Sequence, residues 1–152
     1  MNAHRSSRRD AADTLEIQEV VVRYGFLIDD RDWSAFDQVF TDDAVVDYRL
    51  QVGDALTGVG PIVGRDEVVR QIRDLQHPYQ HMLVSQVIDD VSADEVVVRS
   101  KALLPLPGGG IADILYRDVV VRTEQGWRIK HKSIKSYNTD QVTRAGPQPD
   151  AD

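Results

Sequence analysis

The hydrophobic period of the chain changes once, near Pro78, and this change constrains the fold more than any other feature. Before it, apolar residues recur at spacings of three and four, as on one face of a helix. After it, the pattern becomes extended, and four long strands are predicted over 80–91, 95–106, 111–123 and 127–137. Helices followed by an antiparallel meander are typical of an α+β domain.

Three helices with one apolar face each are predicted in the first half. The first begins at a cap formed by Asp13 or Thr14 and ends near Asp30. Two further helices are predicted over 33–40 and 66–75, a strand over 44–50, and a glycine-rich loop with room for a short strand pair over 51–64. Because each helix has only one face to bury, we expect the helices to cover one face of a strongly curved mixed or antiparallel sheet, a cone around a pocket.

Length and charge limit the classes of protein to which this chain can belong. Its 152 residues suffice for one domain, predicted over 12–138 with flexible termini at 1–11 and 139–152. A formal net charge of −7 argues against a nucleic-acid or anionic-membrane partner. The absence of cysteine excludes disulfides and thiolate metal sites. The first dozen residues lack the apolar stretch of a secretory signal, so we expect a cytoplasmic protein.

Asp29 and His81 are the first candidates for chemistry. Asp29 ends the first predicted helix beside its apolar stripe, and His81 begins the first long strand. Taken singly, such residues are usually a solvated acid and a structural histidine. In a pocket, however, the carboxylate would hold the imidazole tautomer and raise its basicity. The pair would then act as a general base near neutral pH.

Other polar residues of the strands are weaker candidates. Phenolic hydroxyls could donate to a carbonyl or enolate oxygen, although tyrosines are also common at core edges. His131 shares its strand parity with Trp127 and Ile129, which favours an inward side chain. His77 and His81 have the His-x-x-x-His spacing, but they lie on either side of Pro78, where the pattern changes from helical to extended. No phosphate-binding or dinucleotide motif is present, so no metal and no cofactor are expected. The candidates of this group are Tyr24, Tyr48, Tyr116, Asp47, Asp118 and His131.

Several short segments, in this order and spacing, carry a family resemblance. They are residues 24–44 (YGFLIDDRDWSAFDQVFTDDA), 46–48 (VDY), 64–67 (GRDE), 80–81 (QH), 116–118 (YRD) and 126–129 (GWRI). Over about 14–137 the chain resembles the SnoaL-like and scytalone-dehydratase-like domains. The resemblance implies the nuclear-transport-factor-2-like cone, in which a bent sheet and helices enclose a deep pocket. Each segment alone is weak, and their order makes the resemblance specific.

The resemblance also implies a chemistry. The family's enzymes are mostly cofactor-free dehydratases, isomerases, cyclases and hydrolases, and many act on polyketide-like or steroid-like substrates. By this resemblance Asp29 and His81 match the Asp–His pair of scytalone dehydratase, and Tyr48 matches a tyrosine that holds a water or the substrate carbonyl. Tyr24 matches a position that is also tyrosine in bile-acid-dehydratase-like relatives.

Part of the family's constellation is missing from this chain. The second pocket histidine of scytalone dehydratase corresponds to a position near Leu106. Its pocket serine and asparagine correspond to positions near Ile114 and Tyr116. These three residues of the present chain are expected to contact the substrate instead. We therefore do not expect the scytalone reaction itself, and we expect a related reaction on another substrate.

Three functions remain open at this point. The first is a dehydratase (a lyase) or a cyclase or isomerase with Asp–His acid–base catalysis on a cyclic, carbonyl-bearing metabolite. The second is a non-catalytic ligand-binding or assembly module of the same fold. The third is a steroid-type ketone isomerase with Asp47 or Asp118 as its base. The resemblance also implies a homo-oligomer, a dimer or trimer that associates through the open sheet face.

Overall fold

The computed structural model describes the backbone of residues 9–52 and 55–136 and the side chains of 9–49 and 58–135. The helices are α1 (Ala11–Asp29), a 3₁₀ helix (Trp33–Gln38) and α2 (Arg65–Ile72). The strands are β1 (Phe40–Asp47), β2 (Leu50–Val52), β3 (Ala55–Thr57), β4 (Ile62–Val63), β5 (Met82–Asp90), β6 (Glu95–Pro105), β7 (Ile111–Thr123) and β8 (Gly126–Ser136). This confirms the α+β class. No helix in these ranges is long and apolar enough to cross a bilayer.

Six strands form one curled, open sheet in the order β4-β1-β8-β7-β6-β5. The β1–β8 pair is parallel and the others are antiparallel, so the sheet is mixed, as expected. β2 and β3 form a separate antiparallel pair in the glycine-rich loop, which confirms the short strand pair there. The meander β5–β8 is the core of the sheet, and the helices pack on one of its faces.

Helix α1 begins earlier than its sequence indicates. Asp10 is the N-cap, and its side chain accepts a hydrogen bond from the backbone N–H of Asp13. The predicted caps Asp13 and Thr14 lie inside the first turn, because the alanines at 11 and 12 extend the helix. Seven residues form the buried face: Ile17, Val20, Val21, Tyr24, Gly25, Leu27 and Ile28. The predicted loose termini, apart from residues 9–11, lie outside the described residues.

The C-terminus of α1 is closed by a Schellman motif. The N–H of Arg31 donates to the carbonyl of Ile28 at 3.1 Å, and that of Asp32 donates to Leu27 at 2.9 Å. Arg31 has a positive φ of 58° there, the conformation that glycine usually supplies. The motif turns the chain at once into the 3₁₀ helix.

The second helix and the first strand differ from their predicted bounds. The helix is a 3₁₀ helix that ends at Gln38, and β1 starts at Phe40 rather than near residue 44. Phe40 pairs with Ile129 of β8 in parallel, and the register shifts between Phe40 and Val45. The strand therefore begins before the apolar run that the sequence pattern records. Helix α2 ends at Ile72, three residues earlier than predicted.

A bulge in β8 decides which side chains reach the covered face. Trp127 and Ile129 are fully buried on that face. The register then shifts, so that His131 pairs with Val119 and Lys132 pairs with Asp118. Lys132 therefore occupies the covered face, and the prediction that His131 points inward is wrong. Strand parity failed here because the bulge inserts one extra residue, Lys130.

Candidate active site

The end of α1 and the entry to β5 bring Asp29 and His81 together across 52 positions of sequence. Asp29 accepts two hydrogen bonds from His81, one from the backbone N–H at 2.9 Å and one from Nδ1 at 2.6 Å. The His81 side chain is 4% exposed and that of Asp29 is 21% exposed. Both oxygens of one carboxylate thus hold a single histidine, by its backbone and by its ring.

Gly25 lets the helix approach His81 this closely. A Cβ atom at this position would lie 2.8 Å from the Cβ of His81 and 3.3 Å from its carbonyl oxygen. Glycine inside a helix is destabilising by roughly 0.5–1 kcal/mol relative to alanine, so its presence here has a packing cause. Sequence reasoning missed Gly25, although an isolated glycine inside a strongly helical pattern was its signal.

The environment of His81 favours a neutral imidazole. Burial lowers the pKa of His81 below its usual value, and the hydrogen bond and charge of Asp29 oppose that shift only in part. The short contact with a carboxylate requires the proton to sit on Nδ1. The neutral ring then carries its lone pair on Nε2, the nitrogen that can accept a proton.

A cluster of three tyrosines lies next to this imidazole. The Tyr24 ring centroid is 6.0 Å from that of His81 and 6.0 Å from that of Tyr116, both edge to face. The hydroxyls of Tyr24 and Tyr48 share a hydrogen bond. Burial raises the pKa of each of the three phenols well above its usual value. They therefore stay protonated and can act as hydrogen-bond donors, not as bases.

Lys132 lies beneath the tyrosines and is fully buried. Its Nζ donates to both oxygens of Asp118, at 3.0 and 3.2 Å. The same ammonium lies 4.2 Å from the ring centroid of Tyr24 and 3.9 Å from that of Tyr116, two cation–π contacts. Burial lowers the pKa of Lys132 and raises that of Asp118, and each partner's opposite charge counters the shift.

Sequence reasoning missed Lys132 because of the β8 bulge. Counted from the turn at 124–126 without a bulge, Asp118 would face His131. The extra residue moves the partner to Lys132, and no local signal marks it.

Among the earlier candidates, Asp47 binds the Arg49 guanidinium through both carboxylate oxygens, and this lowers the pKa of Asp47.

The remaining candidates divide between the core and the surface. Ile114 is buried on the same strand face as Tyr116. Leu106 is 38% exposed in the β6–β7 turn, where its N–H donates to the carbonyl of Gly110. His131 lies on the opposite face of β8 from Lys132. The structure therefore gathers Asp29, His81, Tyr24, Tyr48 and Tyr116, and leaves Leu106 and His131 apart from them.

A cavity of about 340 Å³ opens beside Asp29. His77 also lines it, and its ring centroid is 6.3 Å from that of His81. His81 is not among the lining residues of this cavity, and its ring centroid lies 6.0 Å from that of Tyr24. The charged and aromatic residues of the lining are Asp29, Arg31, Trp33, Arg73, His77 and Tyr79. Among the described side chains, no group of three or more His, Asp or Glu residues could hold a metal ion.

Comparison with known proteins agrees with this architecture. The SnoaL-like domain family matches residues 9–133. An uncharacterized protein of Mycobacterium tuberculosis strain H37Rv is 32% identical over 130 residues, which cover 79% of this chain and 82% of that protein.

Two solved structures from Novosphingobium aromaticivorans share the fold. An NTF2-like protein with a cystatin-like fold is 23% identical with a TM-score of 0.65, covering 91% of this chain and 90% of the other. A protein named provisionally as a scytalone dehydratase is 20% identical with a TM-score of 0.64, covering 82% and 84%. The match over residues 9–133, the mycobacterial relative and the curled sheet with its helices agree, and the chain belongs to the SnoaL-like domain family.

Proposed function

We propose that the protein is a cofactor-independent enzyme, a dehydratase or cyclase, in which His81 acts as general base on a cyclic carbonyl-bearing metabolite. Proteins of this fold include dehydratases and isomerases, so the chemistry lies within the range of the family. Polyketide-like and steroid-like rings are the proposed substrates.

The double hydrogen bond between Asp29 and His81 carries the proposal. A histidine that is only structural needs one partner to satisfy its ring, whereas here the same carboxylate also holds the backbone N–H. This arrangement fixes the ring orientation and the tautomer before a substrate arrives. Burial then keeps the base unprotonated at neutral pH.

The protein's part in the reaction is proton transfer. Nε2 of His81 takes the proton from the carbon next to the substrate carbonyl, and the electron pair of that C–H bond moves to form an enolate. If a β-hydroxyl is present, the enolate electrons expel it, and the proton now on His81 goes to the departing oxygen to form water. Without a leaving group, reprotonation elsewhere gives an isomer, and attack on a second carbonyl closes a ring.

The tyrosine pair supplies a donor for the enolate oxygen. Two phenols that share one hydrogen bond use one O–H between them, so the second O–H remains free to donate. A donor aimed at developing negative charge in a buried site stabilises the transition state. Positioned acid–base catalysis contributes roughly 10²- to 10⁴-fold in rate.

A carboxylate base is a weaker explanation for this chain. Asp47 is held by Arg49, which lowers the pKa of Asp47 and makes it a poorer proton acceptor. Asp118 is neutralised by Lys132 through both of its oxygens. The steroid-type isomerase with such a base would first have to break one of these ion pairs.

Deuterium exchange tests the proposal without knowledge of the natural substrate. A panel of cyclic ketones and cyclic β-hydroxyketones in D₂O is followed by proton NMR for loss of the α-proton and for water elimination. We expect His81→Gln to slow exchange by roughly 10²- to 10⁴-fold, and Asp29→Asn to slow it less. Asp30→Asn, a change in the adjacent exposed carboxylate, is the matched control. Folded His81→Gln and Asp29→Asn proteins with wild-type rates would refute the mechanism.

A non-catalytic ligand-binding module is the second candidate, and two observations favour it. His81 is nearly covered, and the Tyr24 and Tyr48 hydroxyls bond to each other. This alternative predicts that the wild-type protein binds members of the panel and catalyses α-proton exchange in none of them.

A further inference from the structure

The cavity beside Asp29 has a charge that differs from that of the chain as a whole. Two arginines, Arg31 and Arg73, line it in a protein whose formal net charge is −7. The one carboxylate of the lining, Asp29, is already engaged by His81. The lining therefore includes two arginines, the side chains best suited to hold a carboxylate through paired hydrogen bonds.

Neither arginine is tied to a strong partner. Within the described part of the chain, the Arg31 guanidinium has no hydrogen bond and no ion pair. Arg73 has only a long contact with Asp74, 3.8 Å from Nε to Oδ1, between side chains that are 54% and 76% exposed. Exposed pairs of this kind contribute little, so both cations are available to a ligand.

The backbone at Arg31 is a second, independent observation. The Schellman motif at the end of α1 requires a left-handed residue at this position, and arginine adopts φ 58° less readily than glycine. A residue held in an unfavourable conformation beside a cavity favours a functional role for its side chain. Arg31 lines the cavity two residues after Asp29.

The rest of the lining suits a flat ring. Trp33 stacks on Phe36 at 5.9 Å and lies 6.0 Å from the ring of His77. Tyr79 is tied to the β6–β7 turn by its N–H, which donates to Pro105 at 2.8 Å. Three aromatic side chains and two cations among the lining residues match a ligand that combines a ring with a carboxylate.

We propose that this cavity binds the ring-bound carboxylate of an aromatic or cyclic acid, with Arg31 as its principal anchor and Arg73 as the second. That the bound acid is also a substrate rests on the proposed function. Binding of the acid does not, because it needs no catalysis. It narrows the proposed substrates to those that carry an anionic group.

Calorimetric titration of the full chain tests this with three pairs of acid and amide: benzoate and benzamide, phenylacetate and phenylacetamide, indole-3-acetate and indole-3-acetamide. We expect the wild-type protein to bind at least one acid tenfold or more tightly than its amide. Arg31→Gly should lose that preference and yet melt at a higher temperature than the wild type, because glycine suits the left-handed position. Arg99→Gln, an arginine outside the cavity, should change neither property.

Three results would overturn the inference: no preference for any acid, no binding of any acid, or an unchanged preference in Arg31→Gly. An Arg31→Gly protein that melts at or below the wild-type temperature would remove the backbone argument and overturn the assigned role of Arg31. His81→Gln separates this inference from the proposed function. It should slow α-proton exchange by roughly 10²- to 10⁴-fold. It should leave the carboxylate preference intact, because the backbone N–H at position 81 still donates to Asp29. Either proposal can therefore fail without the other.

Discussion

At the scale of single residues, His81 is governed by two opposing effects. Burial removes water from the imidazole and disfavours its charged form, whereas Asp29 accepts a hydrogen bond from the ring and favours it. Burial is the larger effect, so the pKa of His81 lies below its ordinary value of 6.5. Asp29 therefore determines where the proton sits on the ring more than it determines whether the ring is charged.

This balance predicts the titration of His81. An NMR titration should give His81 a pKa below 6.5 in the wild type, and Asp29→Asn should lower it further, because the favourable partner is lost. Asp30→Asn should leave it unchanged. A higher pKa in Asp29→Asn would contradict the assigned cause.

The same shift makes the stability of the fold depend on pH. The unfolded chain binds the His81 proton more readily than the folded protein, so this contribution is fully present above pH 6.5 and is lost as pH falls towards the folded pKa. Urea denaturation of wild type and His81→Gln in this range should show a steeper loss in the wild type. An equal loss of unfolding free energy in both proteins would contradict the assigned contribution of His81.

At the scale of elements, the bulge in β8 and the glycine in α1 assemble the site. The bulge places Lys132 opposite Asp118 on the covered face. Gly25 brings α1 against the entry to β5, where His81 meets Asp29. Neither effect follows from the helical or strand period of the element itself, and both depend on where one residue falls within it.

The buried pair between β7 and β8 leads to a prediction about stability. Lys132→Met or Asp118→Leu alone should destabilise the protein by about 3–5 kcal/mol, because each leaves a buried charge without its partner. The double variant should be much less unstable than the sum of the two. A double-mutant cycle by urea denaturation measures this, with the exposed pair Arg99–Asp89 as a control that should show little coupling. Additive single effects would contradict a paired role.

At the scale of the whole molecule, the sheet has a helix-covered face and an outer face. β5 lies at one edge of the sheet, and three large apolar side chains are exposed on the outer face near it: Met82 at 44%, Val87 at 52% and Leu103 at 37%. Met82 and Leu103 are register partners and form one exposed apolar pair, whereas Val87 lies opposite Arg99. An exposed apolar pair at a sheet edge is typical of an interaction surface.

We propose that a second copy of the chain covers this face, in a homo-oligomer. Sedimentation of the wild type at micromolar concentration should give a species larger than the 17.1 kDa monomer. Leu103→Lys should shift the protein towards the monomer. The control is the same substitution at an exposed position of α1, Leu15→Lys, which should leave the oligomer unchanged. A wild-type monomer would refute the proposal.

The sequence by itself determined the class of the fold and most of its elements. The change of period near Pro78, the strand bounds 111–123 and the short pair in the glycine-rich loop all follow from local patterns, because each element buries one face and its period records that burial. The residues that form the Asp29–His81 pair were also visible, since the family resemblance pointed to them.

Only the tertiary structure decided how these residues meet. Asp29 and His81 lie 52 positions apart, and their two hydrogen bonds depend on the glycine that lets α1 approach β5. Lys132, and not His131, lies on the covered face because β8 contains one extra residue. A local period records which side of an element is buried, but register and contact distance arise between elements, and no single segment of sequence contains them.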